Sequence, residues 1–250
     1  KDAGYQAFLV GGCVRDILLG LAPKDFDVAT DALPDEVRGL FRNCRLVGRR
    51  FRLAHVVFGR EIIEVATFRA ASAPDLVDEP LPDADPEEGE APELDAPDFE
   101  EPELPALSRE RPHDRAHDES GRILRDNVYG SIDEDVWRRD FTANALYYNI
   151  ADFSIWDYVG GVEDVYARRL RLIGDPETRY REDPVRMLRA ARFEAKLGFQ
   201  LDAPGLEPLE RLRTLLTGVP AARLFDELVK LFLTGHGASS LQVLRRHRLL

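Results

Sequence analysis

The chain is poor in the residues from which many kinds of site are built. Its 250 residues include only two cysteines and one methionine. Cys13 and Cys44 have no metal-type spacing and are too few for a disulfide framework, so buried free thiols are expected and redox chemistry is not indicated. No apolar run approaches the ~20 residues that cross a bilayer, and the first residues lack the charged, apolar and small-residue order of a signal peptide. The expectation is a soluble cytoplasmic protein with no membrane partner. Basic residues are almost all arginine, and residues 71–104 have none. That stretch holds fourteen Asp or Glu and seven Pro, so the net charge of −12 becomes +2 for the rest of the chain. The acidity belongs to one segment and does not exclude nucleic acid as a partner. So polar a stretch cannot offset its ordering entropy by burial, and about 70–120 reads as a disordered loop or insertion. A mimic of RNA or an autoinhibitory flap over the basic surface is the other reading.

Against these absences stand fifteen residues near the N-terminus. Gly11-Gly12-Cys13-Val14-Arg15-Asp16 follows a short apolar run, Ala7 to Val10, that reads as a buried strand; Val14 to Leu19 reads as the start of a helix. Glycines at a strand-to-helix junction let backbone amides approach a phosphate, and Arg15 in the first turn can grip phosphate oxygens with two donors. The loop is not a Walker A, since Gly-x-x-x-x-Gly-Lys-Ser/Thr is absent. Lys24-Asp25-Phe26-Asp27-Val28 comes next. With a strand at 26–30, Asp25 and Asp27 point to one side and can share magnesium, which takes one or two carboxylates plus substrate phosphates. An Asp-x-Asp also occurs on exposed turns; its adjacency to the glycine turn is what suggests nucleotidyl transfer.

Further strands are expected at 44–48, 53–58 and 61–68, after a helix at 34–41. Ile62, Ile63, Val65 and Phe68 make the last a core strand, in which Glu64 is either a third metal ligand or a satisfied buried acid. Arginines 38, 42, 45, 49, 50, 52 and 60 interleave with Phe41, Phe51 and Phe58, a composition suited to phosphate contacts. Ile132 to Leu146 reads as a helix that places Asp140 and Asn144 on one face. Strands follow at 147–150 and 154–158, a helix at 162–167 and a strand at 169–173. From Pro176 onward strands vanish, and helical periodicity at 176–197, 206–216 and 220–233 runs on unfinished to Leu250. In the helix opening at Arg181-Glu182-Asp183-Pro184, Arg186, Arg189 and Arg192 recur every three residues. Asp183 with Arg186 offers an acceptor beside a donor, matching the base edge of adenine and cytosine rather than guanine or uracil.

These motifs together, GGCVRD, KDFDV, LVGRRFRLAHVVFG, EVATFR, RRDFTANALYY, DYVGGVED and RLIGDPETRYREDPVRMLRAARF, resemble bacterial poly(A) polymerases of the class II nucleotidyltransferase superfamily, relatives of the tRNA CCA-adding enzymes. The resemblance implies an α+β fold, with a polymerase-β-like head of mixed sheet and helices at 1–175. An all-helical neck would follow at 176–250. It implies ATP as substrate, two magnesium ions, and RNA 3′ ends as acceptors; no RNA-degradation or RNA-chaperone partner can be named. By the same resemblance Gly11, Gly12 and Arg15 would bind triphosphate, and Asp25 and Asp27 would hold the metals. Asp140 would complete the acids, and Arg139 and Asn144 would contact nucleotide. Asp183 and Arg186 would read the base, with Arg189 and Arg192 supporting phosphate or that template. The segment from Leu46 to His55 looks like poly(A) polymerases rather than CCA-adding enzymes. Two other classes are weaker fits. Haloacid-dehalogenase phosphohydrolases share Asp-x-Asp but not its surroundings here, and an idle RNA-binding module does not require intact acids.

Overall fold

A computed structural model describes residues 1–48, 52–70, 114–117, 123–127 and 129–250. Its frame is set at Gly11. Strand β1 (Ala7–Val10) ends there with φ +76°, a left-handed conformation that favours glycine, and helix α1 (Gly12–Leu18) begins at the next residue. Strand β2 (Asp27–Thr30) pairs antiparallel with β1. Helix α2 (Pro34–Leu40) opens on a proline whose missing N–H costs nothing in a first turn. Strands β3 (Cys44–Val47), β4 (Leu53–Phe58) and β5 (Glu61–Thr67) follow, and β5 returns parallel to β2. A hairpin of β6 (Asp114–His117) and β7 (Ile123–Asn127) comes next, its first strand inside the range read as disordered. The acidic stretch 71–104, Arg49, Arg50 and Phe51 lie outside the described residues.

Helix α3 (Ile132–Arg138) is much shorter than the helix expected over 132–146. It begins on a capping box between Ser131 and Glu134 and ends because tertiary partners claim its last carbonyls. Arg179 donates to the carbonyls of Arg138 and Arg139 at 3.0 and 2.8 Å, and Arg139 turns extended. Residues 142–144 form one 3₁₀ turn before β8 (Leu146–Asn149) and β9 (Ser154–Asp157). The main sheet thus runs β3-β4-β5-β2-β1-β8-β9. Helix α4 (Gly161–Tyr166) and strand β10 (Arg169–Leu170) complete the first part.

The helix expected over 176–197 is broken in two. Asp183 is extended (φ −145°, ψ 97°), as the residue before a proline tends to be, so α5 (Pro176–Glu182) and α6 (Val185–Leu197) are separate. Strands do not vanish beyond Pro176. Strand β11 (Gln200–Leu201) pairs parallel with β10, and then come α7 (Ala203–Leu212), α8 (Ala221–Phe232) and α9 (Gly237–Arg246). The fold is α+β: a mixed sheet with helices, followed by a helical region. Among the described residues no helix is long and apolar enough to cross a membrane.

Among the described residues, two apolar clusters pack on the sheet beneath the site, and a third lies under α2 against β3–β5. Phe8, Val10, Ala29, Phe68, Val136 and Tyr147 fill one face under α3. Val14, Phe141 and Leu146 pack on the other face with Leu170, Tyr180, Met187, Phe193 and Leu209, which belong to the later elements. At about 1.5–3 kcal/mol per buried large side chain, this shared cluster ties the helical region to the sheet. Two expectations of burial are corrected. Ile62, near the solvent end of β5, is exposed, and Cys44 on edge strand β3 is only partly buried, whereas Cys13 is buried.

Candidate active site

A cleft of about 550 Å³ opens where α1, the start of β2, the 139–144 segment, α6 and α8 meet. Of the residues expected from sequence, Gly11, Gly12, Arg15, Asp27, Arg139, Asp140, Asn144, Asp183, Arg186 and Arg189 line it. Asp25 and Arg192 do not.

The segment carrying Asp140 and Asn144 is held rigidly from behind. Gly161 sits so close to the Thr142 carbonyl that a Cβ there would lie 2.2 Å from its oxygen. Fully buried Asp164 accepts from the Thr142 hydroxyl at 2.7 Å and from Arg171 at 2.8 Å. Asp157 caps the start of α4 through the amides of Gly161 and Val162, both at 2.9 Å. The DYVGGVED motif therefore acts as a brace for RRDFTAN. Although no helix joins them, Asp140 and Asn144 still meet, the Asn144 amide approaching Asp140 at 3.5 Å.

Asp140 is held by Arg189, whose Nε donates to Oδ2 at 2.8 Å. Burial alone would raise its carboxyl, but the Arg189 charge and hydrogen bonds keep it below the usual carboxylate range. Its charge is spent on orienting an arginine. Arg15 is similarly fixed, donating to Asp16 at 2.9 and 2.7 Å and to the Asn144 side-chain oxygen. Arg139 donates to Asp135 at 3.2 and 3.0 Å and to the Tyr147 hydroxyl at 2.8 Å; that hydroxyl donates in turn to Asp135 at 2.6 Å. Asp183 accepts from the Val185 amide at 3.2 Å and from Arg223 at 2.9 Å, while Arg186 donates to the Arg179 carbonyl at 2.9 Å. Each of these side chains is pre-oriented, so little rotamer entropy remains to be lost on binding.

Of the expected acids, Asp27 and Asp140 line the cleft and Asp25 does not. Strand β2 starts at Asp27, so Asp25 precedes the strand and the alternation argument does not place it. The second carboxylate in register with Asp27 is Glu64, directly across on β5. It is no buried acid: its side chain is half exposed, with His55 Nε2 3.6 Å away. Burial raises the Asp27 carboxyl above its ordinary value, Glu64 and Asp25 add to the rise, and Arg139 opposes it. Asp27 thus lies at one end of a cleft otherwise rich in arginine, with Glu64 in register beside it on β5. Among the described residues no three carboxylate, thiol or imidazole groups converge as a closed metal cage.

A family model described as "Poly A polymerase head domain" matches residues 7–171. The chain belongs to the poly(A) polymerase family. A second model, "Probable RNA and SrmB- binding site of polymerase A", matches residues 198–250. The chain is 53% identical to poly(A) polymerase I of Salmonella typhi, over the whole chain and 46% of that protein. It is 34% identical to the CCA-adding enzyme of Bacillus subtilis strain 168, over 99% of the chain and 51% of that enzyme. Among solved structures, the CCA-adding enzyme of Bacillus stearothermophilus in complex with CTP superimposes with a TM-score of 0.70 at 30% identity, covering 99% of this chain and 49% of that one. The chain spans about half the length of the curated relatives it matches.

Sequence reasoning undervalued Glu64, the register partner of Asp27, and did not single out Phe193, Lys196 or Arg223 in the cleft of this poly(A) polymerase family member. The signal for the first was its register opposite Asp27. For the next two it was helical period: counted at 3.6 rather than three residues per turn, the cleft face of α6 is Arg186, Arg189, Phe193 and Lys196. Arg192 falls to the side, paired with Glu227 and stacked over Phe193 at 4.4 Å.

Proposed function

We propose that the chain carries the active site of a template-independent adenylyltransferase that adds AMP from ATP to RNA 3′ ends and releases pyrophosphate. The observation that carries this reading is the meeting, on one cleft, of the Gly11-Gly12 turn, Asp27, and Asp183 with Arg186. The identity to poly(A) polymerase I supports AMP as the unit added.

Magnesium fits the residues present. Asp27 and Asp25, with Glu64 across the strand, form a negative group with no lysine or arginine bonded to it among the described residues, and magnesium needs only one or two carboxylates beside substrate phosphates. When bound, two such ions favour ionisation of the attacking hydroxyl and neutralise the departing phosphates. The chain's own groups do the positioning. The turn at Gly11 and Gly12 leaves the backbone open to the polyphosphate, and Arg15 and Arg139, locked by Asp16 and Asp135, present fixed charge to it. Asp183 and Arg186 offer an acceptor and a donor to the amino group and ring nitrogen of adenine. Asp140 keeps Arg189 extended along the cleft. The division at 175/176 separates a catalytic head from a helical RNA-binding neck in this reading.

CCA addition to tRNA is the second reading, favoured by one observation: the Asp183–Arg186 pair matches cytosine as well as adenine. Purified chain incubated with magnesium, a short RNA and each labelled nucleotide separates the two. Successive AMP incorporation alone is expected, and Asp27→Asn abolishes it while the protein stays folded. CMP incorporation on a truncated tRNA supports the second reading, and undiminished transfer by Asp27→Asn overturns the acid assignment.

A further inference from the structure

Ion pairing sorts the cations of the cleft into two kinds. Six of its arginines have a carboxylate partner: Arg15 with Asp16, Arg138 and Arg139 with Asp135, Arg186 with Glu182, Arg189 with Asp140 and Arg223 with Asp183. Lys196 and Lys230 line the same cleft and make no ion pair among the described residues. A chain so short of lysine has placed two in one cavity.

Lys196 has the more telling position. It lies in the last turn of α6, on the face that also carries Arg189 and Phe193. The Phe193 ring is the hub against which α1 and α6 meet, with the guanidinium carbon of Arg15 at 5.9 Å and that of Arg189 at 5.7 Å from its centre. One turn beyond it, Lys196 enters the neighbourhood of Arg15, beside the Gly11-Gly12 turn. Burial, with the positive charges of Arg15, Arg192 and Lys24, holds its ammonium below the usual lysine value, and Asp16 opposes this only in part. Lys196 thus adds positive charge beside Arg15, whose own carboxylate partner is Asp16, on a flexible stem that makes no ion pair among the described residues.

We propose that Lys196 binds the polyphosphate tail of the incoming nucleotide from the α6 side, closing over it opposite Arg15. The assignment rests on the reading of the cleft as a nucleotide site and adds a residue to it. A helix outside the sheet would then sense whether a triphosphate, rather than a monophosphate, occupies the cleft.

Binding of ATP, AMP and inorganic tripolyphosphate to the whole chain, measured by calorimetry for wild type, Lys196→Ala and Lys196→Arg, tests it. Lys196→Ala should weaken ATP and tripolyphosphate about tenfold, the size of one charge-assisted contact, and leave AMP unchanged; Lys196→Arg should restore most of the loss. Equal weakening of ATP and AMP would mean a role in cleft shape and would overturn the assignment, as would unchanged ATP binding or a rise confined to the KM for RNA. The two readings fail separately. Wild-type protein that binds tripolyphosphate but transfers no AMP defeats the adenylyltransferase proposal while the lysine assignment is still decided by the variants.

Discussion

Replacing Asp135 by asparagine removes one charge from beneath the cleft and should cost more than any surface substitution. Asp135 is 2% exposed and is the common acceptor for Arg138 at 2.9 Å, Arg139 at 3.0 Å and the Tyr147 hydroxyl at 2.6 Å. Breaking a buried ion pair by removing one partner costs about 3–5 kcal/mol, because the other charge stays behind uncompensated. Here both arginine side chains keep some solvent contact, 29% and 22% exposed, which places the cost toward the lower end, about 3 kcal/mol. For a chain of this size that is a fall in Tm of roughly 6–12 °C. The pH dependence has a definite sign. Burial would raise the Asp135 carboxyl, but Arg139, Arg138 and Tyr147 hold it far below the usual range, so its folded pKa lies under its unfolded value. Its contribution is therefore complete above about pH 5 and is lost as pH falls below about 4, toward the folded pKa. The stability gap between wild type and Asp135→Asn should be constant at neutral pH and narrow in acid. Urea unfolding at pH 7 and pH 3.5 measures it. A gap below about 1 kcal/mol at pH 7, or one that widens in acid, refutes the claim that this carboxylate anchors Arg139.

Two further substitutions probe the brace and the acid group. Gly161→Ala drives a methyl group into the Thr142 carbonyl, a main-chain oxygen that cannot swing aside. It should destabilise by about 2 kcal/mol or more in denaturant unfolding, and a loss under 0.5 kcal/mol would mean that α4 can shift freely against the 142–144 turn. Glu64→Gln alters a half-exposed side chain and should change stability by less than about 0.5 kcal/mol while lowering AMP incorporation at least tenfold. Incorporation within twofold of wild type would remove Glu64 from the acid group.

Sequence reasoning found the glycine turn because only a residue without Cβ sits easily at φ +76°, and it singled out Asp183 and Arg186, both of which line the cleft, because a proline marked the helix start. It misplaced the end of α3 because the cause is not local: Arg179, forty residues downstream, takes the carbonyls that would have continued the helix. Ile62 was read as core from its type alone, whereas its exposure is set by position near a strand end. The short ladder of β10 and β11 was invisible because two residues make no periodic signal. Counting arginines at intervals of three drew attention to Arg192 and away from Lys196, a difference that only the true pitch of α6 resolves. Pairings such as Arg189 with Asp140 join residues 49 positions apart and leave no trace in either segment.

The shared apolar cluster has a mechanical consequence. Tyr180, Met187 and Leu209 fill the same interior as Val14, Phe141 and Leu170, and the β10–β11 ladder stitches the two stretches once more. The wall bearing Asp183 and the floor bearing Gly11 are thus built on one continuous apolar interior. Whatever enters between them meets a notch cut in one block, whose two sides share a single interior.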